Sequence, residues 1–309
     1  MAERLVRLIL YFDVFSYPLT RDELIRYAGF KDREKEEAAE ILDHLVRCGL
    51  LNYLNGYYFA GDSPSIVHRR IKNNEHARKR LKTAKRYSRI IASFPFVRGV
   101  LLSGSISKGT MSETDDIDYF IITSKGRLWL ARTLIILFKK IFLLNSARNF
   151  CVNYFVDKDH LLIKEQNRFT ATEIVFLIPT HNSHLHRELL LANEWVKKYY
   201  PSFHQQNGQA TDKDPILKML TEKIFERSLG DKIEAYLYRK SRRFIRKKFR
   251  HMDEDTFSSC FSVLPHELRY LPNRQQFRIL KRFCWKMKTF ERRMATHYTS
   301  NTYLVTAKL

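Results

Sequence analysis

The stretch that most constrains this chain runs from Leu101 to Ile122 and reads LLSGSISKGTMSETDDIDYFII. An apolar run ends in Gly104-Ser105, a short polar connection carries Lys108 and Gly109, and Asp116-Ile117-Asp118 leads into Tyr119-Phe120-Ile121-Ile122. This is the pattern of a strand, a phosphate-sized turn and a second strand. Side chains alternate along a strand, so Asp116 and Asp118 are expected to project from one face. Two like charges side by side are costly unless a cation neutralises them, and a hard divalent ion, Mg²⁺ or Mn²⁺, is the natural partner.

With 309 residues, 44% of them hydrophobic, the chain can hold two or three small domains with real cores and is not a disordered segment. Its formal net charge of +22 points to an anionic partner such as nucleic acid, nucleotide or an acidic lipid surface, with plain solubility as the alternative. Cys48, Cys151, Cys260 and Cys284 show neither a CxxC pair nor zinc spacing, and read as buried free thiols of a reducing compartment. Glu3 and Asp13 interrupt any signal-peptide core in the opening segment, so a cytoplasmic location is expected. The most apolar run, Leu128 to Leu144, is short and carries Arg132, Lys139 and Lys140. It reads as a helix packed on a sheet rather than a membrane span, with a basic amphipathic helix lying on a membrane surface as the alternative.

Taken in order, residues 3 to 14 have helical spacing, and Thr20 is expected to cap a helix over Arg21 to Ala28 that breaks at Gly29. A third helix is predicted over Arg33 to Cys48 with Ala38, Ile41, Leu42 and Leu45 inward, followed by an Asn55-Gly56 hairpin. Three helices and a hairpin make a winged helix-turn-helix over residues 1–62. Its would-be recognition helix carries Glu34, Glu36, Glu37, Glu40 and Asp43, the wrong sign for a polyanion groove. Residues 63 to 92 read as a long helix with Ser63 as its cap and Pro64 first, and its many Lys and Arg residues face a single acid, Glu75.

A buried strand over Phe96 to Ser103, the motif itself, a helix over Arg127 to Leu144 and a strand over Asn149 to Asp157 then form a compact α and β unit. Alternation puts Cys151, Asn153, Phe155 and Asp157 on one face of that last strand, with Asp157 as a solvated terminus. Beyond residue 165 the pattern turns helical: Thr170 to Ile178, Leu185 to Tyr199, a polar linker SFHQQNGQATDKD, Ile216 to Phe249 and Asn273 to Met294. His181, His184 and His186 read as an exposed loop rather than a metal cluster. A second basic block over Arg239 to Arg250 is interleaved with Tyr236, Tyr238, Phe244 and Phe249, spacing that favours core over base-stacking platforms.

Gly104-Ser105, the turn with Lys108-Gly109, and Asp116-Ile117-Asp118 together resemble the signature of the DNA polymerase β type nucleotidyltransferase superfamily. The resemblance covers the motif tightly and the strand order of residues 96 to 157 loosely. The whole layout is similar to bacterial nucleotidyltransferase-domain proteins with an N-terminal winged helix. It implies an α+β fold: a winged helix over residues 1–62, a small mixed-sheet core over 63–165 with its leading basic helix, and a helical C-terminal region over 166–309. It further implies that Gly104, Ser105, Lys108 and Gly109 hold the phosphates of an NTP such as ATP, and that Asp116 and Asp118 bind Mg²⁺ or Mn²⁺. NMP would then pass to an acceptor hydroxyl, on RNA or another nucleic acid, or on a protein or small molecule. The family's third carboxylate is matched by Asn153, which cannot act as a base near neutral pH, so a catalytically degenerate nucleotide sensor stays open as an alternative.

Overall fold

The computed structural model describes residues 1–61, 63–146, 148–202, 216–225 and 228–306. In chain order the elements are α1 (Ala2–Asp13), β1 (Leu19–Thr20), α2 (Arg21–Ala28), α3 (Lys35–Arg47), β2 (Asn52–Leu54), β3 (Tyr57–Phe59) and α4 (Ser65–Ala92). There follow β4 (Val97–Ser103), α5 (Gly104–Ser107), β5 (Asp118–Thr123), α6 (Leu128–Phe142), β6 (Cys151–Asp157), α7 (Arg168–Val175), β7 (Ile178–His181) and α8 (Ser183–Ala192). The chain closes with α9 (Ile216–Phe225), α10 (Ser228–Lys248), α11 (Glu254–Cys260), β8 (Phe261–Val263), β9 (Glu267–Tyr270) and α12 (Gln275–Thr306). The result is a mixed α and β fold with a mixed sheet and, among the described residues, no barrel. Among the described residues no helix is long and apolar enough to cross a membrane.

The chain divides into two compact units. One comprises residues 1–72, 197–204 and 277–309, the other 73–196 and 205–276. The C-terminal residues are shared between the two. In the first unit, Phe283 of α12 meets Tyr11 edge-on, Lys286 pairs with buried Asp13, and Arg293 donates to the Gly49 carbonyl. In the second, β8 and β9 extend the central sheet. The polar linker expected after Pro201 lies almost wholly outside the described residues.

In the first unit local sequence rules are followed closely. Thr20 and Glu23 form a reciprocal capping box on α2, and Gly29 ends that helix in the left-handed region at φ 73°. Asn55 and Gly56 both take positive φ, as a tight hairpin turn requires, and β1, β3 and β2 pair antiparallel in that order. On α3, Ala38, Ala39, Leu42 and Leu45 are buried, with Ile41 only half-buried, while Glu36, Glu37, Glu40 and Asp43 are exposed. α4 begins at Ser65, one residue later than expected, with the Ser63 carbonyl accepting from the Ile66 N–H. Arg70 near its start is buried, donates to Glu23 at 2.5 Å and lies over the Tyr17 ring.

The second unit is built on a six-stranded sheet in the order β7-β4-β5-β6-β9-β8. Only β5 and β6 run parallel, joined by α6 as the crossover. One sheet face carries Val100, Leu102, Tyr119, Ile121, Val152, Phe155 and Leu268 into a core shared with α4, α6 and α10. Glu234 of α10 accepts from the Trp129 and Leu130 N–H groups and so caps α6, which has no side-chain cap of its own. The segment around His181, read as a loop, supplies β7, and the residues between the helices predicted over Ile216 to Phe249 and Asn273 to Met294 supply the β8-β9 hairpin. The edges of the sheet are β7, four residues long, and β8, three residues long, and β7 contains Pro179, which an edge strand tolerates. Of the interleaved aromatics on and after α10, Tyr238 and Phe249 pack on the core, whereas Tyr236 and Phe244 are exposed.

Two further expectations are corrected. His186 lies on α8 and is buried, with neither ring nitrogen hydrogen-bonded among the described residues, and burial lowers its pKa to about 4. His184 pairs with Glu188 on the same helix, so the histidines do not form an exposed loop. The four cysteines are free, but only Cys260 is buried; Cys48 and Cys151 are half-buried and Cys284 is exposed.

Asn193 follows α8 and is fully buried. Its Nδ2 donates to the Leu161 and Leu189 carbonyls, and its Oδ1 accepts from the Ile163 N–H and the Trp195 Nε1–H, which uses its whole capacity. Asn193→Ala removes the partner of three buried backbone groups and is expected to cost about 3 kcal/mol in urea unfolding. A loss below about 1 kcal/mol would show that these bonds are not structural.

Candidate functional site

The sequence motif folds as a strand, one turn of helix, a loop and a strand. Asp115 is consumed locally: its carboxylate accepts from the Ser112 N–H and hydroxyl at 3.0 and 2.7 Å. Ile117 is buried, its N–H bonds the Arg148 carbonyl and its carbonyl accepts from Cys151 N–H. Asp116 therefore sits just ahead of β5 rather than within it. The extended pairing nonetheless continues through Ile117, so Asp116 and Asp118 turn to the face opposite the main core.

Gly104 opens the helical turn at φ 66°, and a Cβ there would collide with the Asp118 carboxylate. The position thus needs glycine twice, for backbone conformation and for space. The Ser105 carbonyl accepts from the Thr110 N–H and hydroxyl, closing the loop, and Gly109 takes φ 67° at its far end. The Lys108 ammonium donates to the Gly104 carbonyl at 3.0 Å and pairs with Glu173 of α7 at 2.9 Å. Glu173 was not among the residues singled out from sequence. It sits in a helix far along the chain from the motif, and no local spacing marks it.

Asn153 occupies the expected place but by an unexpected route. β6 pairs with β5 in register from Cys151 opposite Asp118, then slips by one residue so that Tyr154, not Asn153, lies opposite Phe120. Asn153 is the extra residue of a bulge. Its Nδ2 donates to Asp118 Oδ1 at 2.9 Å, and its Oδ1 accepts from the Cys151 thiol at 3.2 Å. The bulge inverts the alternation beyond it. Phe155 joins the core on the opposite face, and Tyr154 stacks on Phe120 with centroids 4.7 Å apart. Asp157 pairs opposite Thr123, so it does not share a face with Asn153. Nor is it a solvated terminus: it is buried and accepts from the Asp159 N–H and from His160 Nδ1.

Burial raises the Asp118 pKa to about 6; the neighbouring Cys151 thiol and Lys108 oppose this, and Glu173 and Asp116 add to it. Burial, with Asp118 beside it, likewise pushes the Cys151 thiol up, so it stays a protonated donor. Among the described residues no group of three or more His, Cys, Asp or Glu side chains is arranged to hold a metal ion. Comparison with protein-family models, with curated proteins and with solved structures finds no match to this chain.

A carboxylate with a raised pKa retains its proton in the folded state over the window from about pH 4, its unfolded value, to about 6. The folded state then binds more protons than the unfolded one, and stability falls as pH rises through that window. In metal-free buffer, Asp118→Asn is therefore expected to raise the melting temperature above pH 6 and to leave it unchanged near pH 4. An equal effect at both ends would overturn the assignment of a buried charge to Asp118.

Proposed function

We propose that this chain is a metal-dependent nucleotidyltransferase that moves a nucleoside monophosphate from an NTP such as ATP to an acceptor hydroxyl. The observation that carries this reading is the contact between the Gly104 turn and Asp118, which sets a glycine-containing backbone turn against the carboxylate that opens β5. Gly104, Ser105 and Gly109 shape the turn for the phosphates, and Lys108 neutralises their charge once an anion competes with Glu173 for its ammonium. Asn153 holds Asp118 by its amide and is a positioning residue, not a base.

The donor set fits Mg²⁺ or Mn²⁺. Asp116 and Asp118 offer hard oxygens, and among the described residues neither is paired with a basic side chain. Such ions commonly take one or two carboxylates and complete their shell with substrate phosphates and water. When bound, the ion would offset charge on the reacting phosphate. The absence of a third protein ligand predicts that Mn²⁺ binding, followed by calorimetry, is weak alone and strengthened by NTP. Equal affinity with and without NTP would contradict a site shared with phosphate.

For the acceptor, α4 exposes Lys79, Lys82, Lys85, Arg86 and Arg89 with Glu75 as its acid, which favours RNA or another nucleic acid over a protein or small molecule. Residues 1–62 read as a winged helix-turn-helix whose exposed acids suit protein contact better than DNA. A second reading, a nucleotide-binding regulator without turnover, is favoured by Asn153 in the place of a third carboxylate.

Incubation with labelled NTP, Mg²⁺ or Mn²⁺ and RNA should transfer label, with loss of about a hundredfold or more in Asp116→Ala and Asp118→Ala. RNA affinity should fall steeply with salt, whereas a flat response with intact turnover points to a protein or small-molecule acceptor. NTP binding without pyrophosphate release would favour the regulator.

A further inference from the structure

The far end of α6 is not covered. Leu137 is 51% exposed, Ile141 59%, Phe142 68% and Leu144, just past the helix, 90%. Leu137 and Ile141 lie one turn apart and form a stripe, and Leu144 follows just past the helix end at φ 46°. Phe142 is fixed beside it by Phe138, which packs on Phe94 and Phe150. Single exposed apolar residues are ordinary on a protein surface, but four large ones at one helix end form a patch of the kind that marks an interaction site. Lys139 and Lys140 interrupt the stripe. Alongside, Tyr87 and Ile90 of α4 and Phe94 just after it pack on the same core as α6, and exposed Lys82 and Arg86 lie in the i, i+4 row that ends at Ile90.

From this juxtaposition we infer that the end of α6 docks the protein on an anionic lipid bilayer, with Leu137, Ile141, Phe142 and Leu144 entering the interface and the flanking lysines and arginine meeting the headgroups. Aliphatic side chains ringed by cations are what such a surface requires: apolar burial supplies one part of the attraction and anionic lipid the other. The alternatives fit less well. RNA would use the cations but gives Leu137, Ile141 and Leu144 nothing to bury against, since its stacking partners are aromatic or guanidinium groups. A second copy of the chain would bury the apolar stripe while bringing lysines together on a protein of net charge +22. The docking does not depend on the proposed transferase reaction.

The test is sedimentation of the full chain with vesicles of phosphatidylcholine alone or mixed with phosphatidylglycerol, at low and high salt. Binding is expected to the anionic vesicles only and to weaken with salt. Leu137→Ser/Ile141→Ser/Phe142→Ser should bind about tenfold more weakly with an unchanged melting temperature. Lys139→Ala/Lys140→Ala should lose affinity about tenfold as well. Equal binding of the triple variant and the unaltered chain would overturn the inference, because it would reduce the attraction to diffuse charge. So would lipid-free self-association that the triple variant abolishes, which would assign the stripe to a second copy.

Discussion

The one-residue slip between β5 and β6 is the constraint on which the second unit depends. Opposite Asp118 the strands pair through Cys151; opposite Phe120 they pair through Tyr154, and Asn153 is left over between them. That extra residue frees an amide to hold Asp118 from the side and lets the thiol of Cys151 close the chain of hydrogen bonds. It also switches which side chains go inward. Phe150 and Val152 before the slip and Phe155 after it all reach the same core, which strict alternation along one strand would forbid.

Around that slip the electrostatics are organised by burial. Asp118 is a carboxylate pressed against a glycine turn, with a thiol and an amide as its immediate partners and two other carboxylates close enough to raise its pKa. Lys108, the nearest cation, is divided between Glu173 and a backbone carbonyl. Asp118 is thus a buried carboxylate with further negative charge beside it, an arrangement that is costly unless it is neutralised.

The surfaces divide by sign as well. The exposed face of α3 is acidic, and the exposed face of α4 is almost wholly basic. The tip of α6 adds uncovered apolar side chains. Charge and apolar surface are thus distributed in blocks, so that different parts of the molecule suit different partners, and a net charge alone would have hidden this.

The sequence by itself determined the elements whose causes are local. The Thr20 cap, the Gly29 stop and the Asn55-Gly56 turn arise from residues within a few positions of one another, and the glycine turn and Asp118 fall within one short stretch of chain. What depends on distant chain was not legible. The Glu173 partner of Lys108, the Glu234 cap on α6, the edge strands supplied by residues 178–181 and 261–270, and the return of α12 to the N-terminal unit carry no signal in their own neighbourhoods. The bulge is the sharpest case. Asn153 was correctly placed beside Asp118, yet the same alternation misassigned Phe155 and Asp157, because a slip in pairing is fixed by the partner strand and the core it must fill rather than by the strand's own sequence.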